Sequence, residues 1–459
     1  MKLFRILCVV FLLSLFGCAA TPLQKKPLLS PAGGQALLTV YLSTSGAAEH
    51  VGKIQIDELA VEVDGAWIGL ALPPVTIDYQ RQKGRQMLLG AAVAPLGVHR
   101  RLRLRVSGLS GSDKEQEFIV RLSGPLELLK GESKCLFLDW QMLAERPGRR
   151  QLTPRFSAWG QGQALGGELL YVACREIDTV YIVRMDSNEV VAAFSVPGPL
   201  ADIRVLAAPR RLYILSTGRR SIYVYDCLNA RLIDQIALPG SIAPQHMVLS
   251  PDGQYAFVSD AAAGAIFKVD LSEGNLVAQT RTGHRPQRLI YIDEGLGRLA
   301  IAAPRSHQVF ILNAADLRIQ RIIPVGSRPS GLLYFADALY VAETGSRSVA
   351  VYNLQTGKQS ATIAVGLAPD YLLSVDRNSA YVSNSGEGSL MVLYAGQNTA
   401  FKRIATAQNP TEMIFSQRRR LLYIESPKMR TVTVVDQVSE NILKQIRLGG
   451  PPRSMAILE

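Results

Sequence analysis

Apolar and polar positions repeat along the chain from Leu169 onward. A short apolar run recurs seven times, at residues 169–173, 212–215, 255–258, 299–302, 339–342, 380–383 and 421–424, at intervals of 40 to 44 residues. Self-similarity at such a period marks a solenoid or a propeller. Each copy divides into four runs. In the clearest these are residues 328–335, 339–342, 348–352 and 360–365. The runs are rich in β-branched and aromatic residues and are separated by clusters such as Asn353-Leu354-Gln355-Thr356-Gly357. This is strand and turn punctuation, with no 3.6-residue stripe long enough for a helix. Four strands in each of seven units predict a seven-bladed β-propeller, whose radial layout leaves only short sheet edges.

The same pattern predicts how the ring closes. The run following each proline is read as an inner strand, and the last of these occupies residues 452–458. Leu169, by contrast, opens a second-type strand with no inner strand before it. The C-terminal run is therefore expected to complete the first blade by strand pairing, which covers an otherwise open edge.

Residues 36–156 carry a different β pattern. Residues 37–42 alternate weakly, residues 54–64 more clearly, and Arg101-Leu102-Arg103-Leu104-Arg105-Val106 alternates strictly, as a half-buried strand does. With further runs at 117–122 and 134–140, about seven short strands predict an immunoglobulin- or transthyretin-like β-sandwich. Residues 145–167 hold Pro147, Gly148, Pro154, Gly160, Gly162, Gly166 and Gly167, and 157–167 is expected to be a Gly-rich linker to a propeller spanning 168–459. All of this makes an all-β chain.

Val341-Ala342-Glu343-Thr344-Gly345, Ser348-Val349-Ala350-Val351-Tyr352-Asn353 and Ile363-Ala364-Val365-Gly366-Leu367-Ala368-Pro369 together resemble the YVTN-type propeller repeat. Tyr381-Val382-Ser383-Asn384 is the nearest copy of the signature tetrapeptide, and Gly-x-x-Pro recurs at 283–286, 326–329, 366–369 and 449–452. Ala407 replaces the glycine before Pro410, and the first two blades are more degenerate. The resemblance implies the propeller fold over about 290 residues. It leaves function open, because that family includes surface-layer proteins, periplasmic binding proteins and relatives of quinoprotein dehydrogenase subunits. The N-terminal strands are similar to an uncharacterised β-sandwich domain of bacterial lipoproteins, departing from it at Ser43-Thr44-Ser45-Gly46.

At the N-terminus, Lys2 and Arg5 precede an apolar run at 6–13 that ends in Leu15-Phe16-Gly17-Cys18. This reads as a signal peptide, residues 1–17, with a lipobox-like end. The run is shorter than the roughly 20 apolar residues of a spanning helix. Cys18 is the expected lipidation site, although Phe16 is bulkier than usual there, and 18–35 is the expected tether. Ala19 and Ala20 follow, with no Asp to retain the protein in an inner membrane. Resemblance to Gram-negative lipoproteins then implies the outer membrane, on its periplasmic or its surface face. Several acyl chains anchor stably, at about 0.8 kcal/mol per buried methylene.

With 48% apolar and 19% charged residues, the chain has material for two cores. Once Cys8 leaves and Cys18 is acylated, Cys135, Cys174 and Cys227 remain. An odd set of this kind fits buried thiols, with a Cys174–Cys227 bridge as the open alternative. The net charge of +12 falls to about +10 without the signal. In an exported protein this suits an anionic envelope ligand or an acidic protein, and not nucleic acid. Arg100, Arg101, Arg103 and Arg105, with Arg146, Arg149, Arg150 and Arg155, are densest and are read first as a solvated face.

No Cys-x-x-Cys-His, His-Glu-x-x-His, EF-hand or Gly-x-Ser-x-Gly motif is present, so no catalytic residue, metal or cofactor is expected. The candidate site is the mouth of the propeller channel, where loops into the inner strands converge. These supply His246, His284, Arg285, Arg288, Arg328, Asp370, Tyr371, Glu412 and Arg453. Such a mixture suits an anion, since guanidinium forks match carboxylates and phosphates. It also suits the polar rim that any propeller has. The expected function is an envelope platform for a ligand or protein partner. The alternatives are a dehydrogenase-like or lactonase-like enzyme, built on His246 with Glu412 and Asp370, and a structural surface protein.

Overall fold

Seven four-stranded antiparallel sheets follow one another from Leu169 in a computed structural model describing residues 35–45, 52–108, 114–144, 152–162, 165–283, 285–293 and 295–459. The expected signal peptide, Cys18, and the tether as far as residue 34 lie outside the described residues. Among those described, no helix is long and apolar enough to cross a membrane.

The inner strands of blades two to seven are Leu200–Leu206, Pro244–Leu249, Leu289–Ile292, Pro329–Phe335, Pro369–Ser374 and Met413–Ser416. Blade one takes its inner strand from the far end of the chain. Pro452–Leu458 pairs antiparallel with Leu169–Cys174, placing Leu170 opposite Ile457 and Tyr171 opposite Ala456. The ring thus closes as the strand count predicts. Second strands such as Leu169–Cys174 and Leu421–Ser426 are buried along their whole length because a blade packs against each face. Outer strands are mostly exposed, as at Leu232–Ala237.

The polar residue ending a second strand organises the loop between blades. Asp260 accepts from Ser241 Oγ at 2.6 Å, from the amides of Ile242 and Ala243 at 2.6 and 2.9 Å, and from those of Ala262 and Ala263 at 3.0 and 2.8 Å. Glu343 accepts from the Gly326 amide at 2.7 Å and from Ser348 Oγ at 3.0 Å. Both stand where Asn384 ends the Tyr-Val-Ser-Asn strand. Buried backbone amides need acceptors, so a polar side chain is required at this place.

The N-terminal strands are β1 (Ala36–Ser45), β2 (Lys53–Val63), β3 (Ala66–Gly69), β4 (Val75–Asp78), β5 (Gln86–Ala94), β6 (Gly97–Ser107), β7 (Gln116–Leu128), β8 (Ser133–Ala144) and β9 (Leu152–Gly160). They form a sandwich whose two layers are continuous at one edge. One layer runs β3-β2-β6-β7, with β4 also on β2, and the other runs β9-β8-β1-β5. A single parallel pair, Leu122 with Ala158, joins β7 to β9 and curls the sheet. Leu38, Val40 and Leu42 of one layer meet Leu59, Leu102 and Leu104 of the other in a shared core.

The strict alternation of β6 puts Arg101, Arg103 and Arg105 on the outer face. There Arg101 pairs with Glu62, while Arg103 and Arg105 reach Glu58 at 2.9 and 3.0 Å. This run is an ion-paired strand face, while Arg146, Arg149 and Arg150 lie outside the described residues. Strand β9 extends past Phe156 to Gly160, so the stretch expected as linker begins inside the sheet.

The other face of the β1 layer packs on the propeller. Leu37, Tyr41, Cys135 and Phe137 share one core with Val172, Tyr181, Leu448 and Met455 of blades one and seven. Thr39 Oγ1 and Tyr181 Oη share a 2.8 Å hydrogen bond, and Tyr41 Oη donates to Arg447 O at 3.1 Å. Two glutamines cap the outer edge of blade one. Gln86 donates to Val190 O and accepts from Val190 N, both at 3.0 Å. Gln161 does the same to Ala193 at 3.0 Å and also accepts from Cys135 N at 2.9 Å. Each carboxamide stands in for a strand partner, which satisfies an edge that would otherwise offer itself to another chain. Cys135, Cys174 and Cys227 are buried free thiols, so the alternative Cys174–Cys227 bridge is not formed. Burial pushes the Cys227 thiol up to about 11.

Candidate functional site

Equivalent positions of the seven inner strands form tiers down the channel. The upper tier comprises Asp202, His246, Arg288, Gly331, Tyr371, Glu412 and Ser454, one from each blade. Asp202, His246, Tyr371 and Ser454 pair with Leu215, Ser259, Ser383 and Ala173. Arg288, Gly331 and Glu412 each stand one residue ahead of the corresponding apolar pair. Two residues further in, the second tier is Arg204, Val248, Ile290, Leu333, Leu373, Ile414 and Ala456. A cavity of about 500 Å³ lies between the tiers, lined by Arg204, His246, Arg288, Tyr371 and Glu412 and by the apolar second tier.

Asp202 is the hub of one side. It is fully buried and pairs with Arg204 at 2.7 Å. It accepts from Ser454 Oγ at 2.7 Å, from the Met247 amide at 2.7 Å and from the Ile203 amide at 2.8 Å. Burial alone would raise its pKa, but the Arg204 guanidinium, the neighbouring His246 and the Met247 amide hold it well below the usual carboxylate range. Arg204 also reaches Glu412 Oε1 at 3.5 Å and Ser454 Oγ at 3.4 Å. Blades one, two, three and seven therefore share one polar cluster.

Glu412 is buried and its carboxyl is raised by that burial, against the pull of Arg204. Beside it on the second strand of blade seven, Glu425 is only 1% exposed, and its Oε1 has no hydrogen-bond partner among the described residues. Burial first, and then the Glu412 charge, push Glu425 well above the usual range. His246 lies with Nδ1 3.7 Å from Asp202 Oδ2. Its burial and the Arg288 and Arg453 charges bring its pKa down to about 3, so the imidazole is neutral.

The opposite side is cationic and less engaged. The Arg288 guanidinium lies over the Tyr371 ring at 4.4 Å, spanning the place of Gly331 between them. Among the described residues no carboxylate is within ion-pair distance of Arg288, although its charge acts on Glu412 and Glu425 from further away. A side chain at Gly331 would meet Asp370 O at 2.7 Å, so glycine is required where the two inner strands approach. On the other side, next to Ser454 on the closing strand of blade one, Arg453 Nε is buried with no hydrogen-bond partner among the described residues.

Of the sequence candidates, the structure brings His246, Arg288, Tyr371 and Glu412 together on the cavity wall. Arg453 is close enough for its charge to act on Glu412 and His246. Arg285 and Arg328 are exposed on their loops, and Asp370 does not line the cavity. His284 lies outside the described residues. In the expected acid–base grouping of His246 with Glu412 and Asp370, the carboxylate next to His246 is instead Asp202. Sequence reasoning missed Asp202, Arg204, Ser454 and Glu425. The signal for Asp202 and Ser454 was positional, because each member of the upper tier stands two residues past the start of its inner-strand segment. That start is Pro244, Pro286, Pro329, Pro369, Pro410 or Pro452, and Leu200 in blade two.

No protein-family model matches the chain, and no curated protein matches it. Its fold is similar to that of a functionally unknown protein from Desulfotomaculum acetoxidans, with TM-score 0.57 and 12% identity over 64% of this chain and 99% of that one. It is also similar to dihydro-heme d1 dehydrogenase NirN in complex with DHE, with TM-score 0.49 and 17% identity over 61% of this chain and 63% of that one. Hydrazine synthase of Kuenenia stuttgartiensis gives TM-score 0.48 and 16% identity over 57% of this chain and 90% of that one. At these identities the first likeness shows the propeller fold alone, and the other two carry no argument.

Proposed function

We propose that the chain is a cell-envelope lipoprotein, anchored through Cys18, whose YVTN-type propeller binds an anionic ligand at the channel mouth without chemically altering it. The observation that carries this reading is the placement of Arg288. Its guanidinium lies over the Tyr371 ring at 4.4 Å in the wall of a cavity of about 500 Å³, with no carboxylate within ion-pair distance among the described residues. Cavities of roughly 300 to 1,000 Å³ with a few convergent polar groups are the usual form of small-molecule sites. A stacked guanidinium keeps its fork of donors free for a carboxylate or phosphate. Two of the polar groups there, Ser454 and Asp202, are committed to partners within the wall. Ser454 Oγ donates to Asp202, and Asp202 is occupied by Arg204 and two amides. The signal-like N-terminus and Cys18 support the envelope location, on either face of an outer membrane.

A thermal-shift panel at fixed ionic strength tests the binding reading. A ligand that binds only the folded state stabilises it by RT ln(1 + [L]/Kd). Carboxylates and phosphates are expected to raise Tm, and Arg288→Gln to abolish the rise. A Tm that responds to a transition metal or a redox cofactor and to no anion would support the enzyme reading instead. Labelling with radioactive palmitate, lost on Cys18→Ser, tests the anchor, and an unlabelled wild-type protein would refute it.

A further inference from the structure

Below the polar tier, the channel wall changes character abruptly. Val248, Ile290, Leu333, Leu373 and Ile414 come from five consecutive blades at one register. All five are half-buried and line the same cavity as Arg288. An interior position that leaves an aliphatic side chain half-exposed to solvent forgoes part of its burial, roughly 25 cal/mol for each Å². Five such positions in one ring make an apolar sleeve with no occupant among the described residues. The only charged member of this tier, Arg204, turns back to Asp202, Glu412 and Ser454 and leaves the sleeve uncharged.

We infer that the ligand is an amphiphile, a carboxylate on an unbranched acyl chain, with its head on Arg288 and its chain in the sleeve. This rests on the anion site proposed above and specifies its ligand class. The carboxylates facing the head are Asp202, Glu412 and Glu425. Asp202 is neutralised by Arg204, and burial favours the protonated form of Glu412 and Glu425. The head therefore goes to Arg288, across the channel from the Asp202–Arg204 pair. A short polar anion would satisfy Arg288 and leave the sleeve in water, whereas an acyl chain covers both.

The test is isothermal titration of residues 35–459, which contain both closed cores, with acetate, octanoate and decanoate and with decanol as the uncharged control. Affinity is expected to tighten roughly fourfold per methylene, about 0.8 kcal/mol each, so about fifteenfold from octanoate to decanoate. Arg288→Gln is expected to bring decanoate to the level of decanol. Leu333→Gln is expected to weaken decanoate at least tenfold while leaving acetate unchanged, with circular dichroism confirming that both variants fold. If acetate binds through Arg288 but decanoate binds no tighter than acetate, the acyl inference falls and the anion site stands. If no anion binds, both fall. Decanoate binding that neither substitution weakens would also overturn the inference.

Discussion

Replacing Asp202 by Asn should cost more than almost any other single-atom change in the propeller. The carboxylate pairs with Arg204 at 2.7 Å and accepts from Ser454 on the closing strand and from the Met247 amide on blade three. A carboxamide has one acceptor oxygen, so it cannot serve both the Met247 amide and the Ser454–Arg204 side. Its NH₂ must then face a donor. Arg204 would be left as a part-buried charge, 24% exposed, with only the raised carboxyl of Glu412 nearby; breaking a fully buried pair costs about 3–5 kcal/mol, so about 2–3 kcal/mol is expected here. Removing both partners is different. Asp202→Asn with Arg204→Met leaves no orphaned charge and should return to within about 2 kcal/mol of wild type, since apolar replacement of a buried pair is often close to neutral. Urea unfolding at pH 7.5 measures both.

The pH dependence carries the same sign. Asp202 has a native pKa below its unfolded one, so its contribution is complete above about pH 4. It is lost as pH falls through the native value. Wild type should therefore converge on Asp202→Asn in acid. A single variant within 1 kcal/mol of wild type at pH 7.5, or a double variant as unstable as the single, would refute the argument.

Glu425 runs the other way. Its raised native pKa means that the folded state holds the proton longer, so stability falls as pH rises from about 4.3 toward the native value, by up to about 1.4 kcal/mol per unit. Glu425→Gln should remove that slope, and parallel urea midpoints for the two proteins between pH 5 and 8 would contradict it. Deleting residues 451–459 strips the inner strand from Leu169–Cys174 and should abolish the cooperative melt of the ring, whereas a native-like melt would show that closure is dispensable. Gln161→Leu leaves Cys135 N and both backbone groups of Ala193 without partners. At about 1–3 kcal/mol for each fully buried group, and less for these part-buried ones, it should cost about 2–4 kcal/mol and deprotect the Ala193 amide to hydrogen exchange. An unchanged exchange rate would dismiss the interlock.

The propeller was legible because its information is local. Each blade repeats the same four strands within 40 to 44 residues, and the unmatched strands at Leu169 and Pro452 show that they pair. The seam between the two domains was not legible, because it depends on contacts distant in sequence. Residues 37–42 alternate weakly for a physical reason. Leu38, Val40 and Leu42 enter the sandwich while Leu37 and Tyr41 enter the propeller core, so both faces are buried and the period-two signal vanishes. The glycines and prolines of 145–167 read as a linker, although Leu152–Gly160 pairs along β8. At the site, the prolines led to His246, Arg288, Tyr371 and Glu412. Blade two carries Leu200 where the others carry proline, and its Pro199 stands one residue early, which hid Asp202. Glu425 was invisible for a different reason. It sits in a second strand, and only packing brings it beside Glu412.

The most direct measurement is native mass spectrometry of the wild-type chain and of Arg288→Gln, each isolated from the same cells without added ligand. One anionic organic molecule per wild-type chain, absent from Arg288→Gln, is the predicted result. Equal occupancy in the two proteins, or a ligand retained when Arg288 is replaced, would contradict the channel as the binding site.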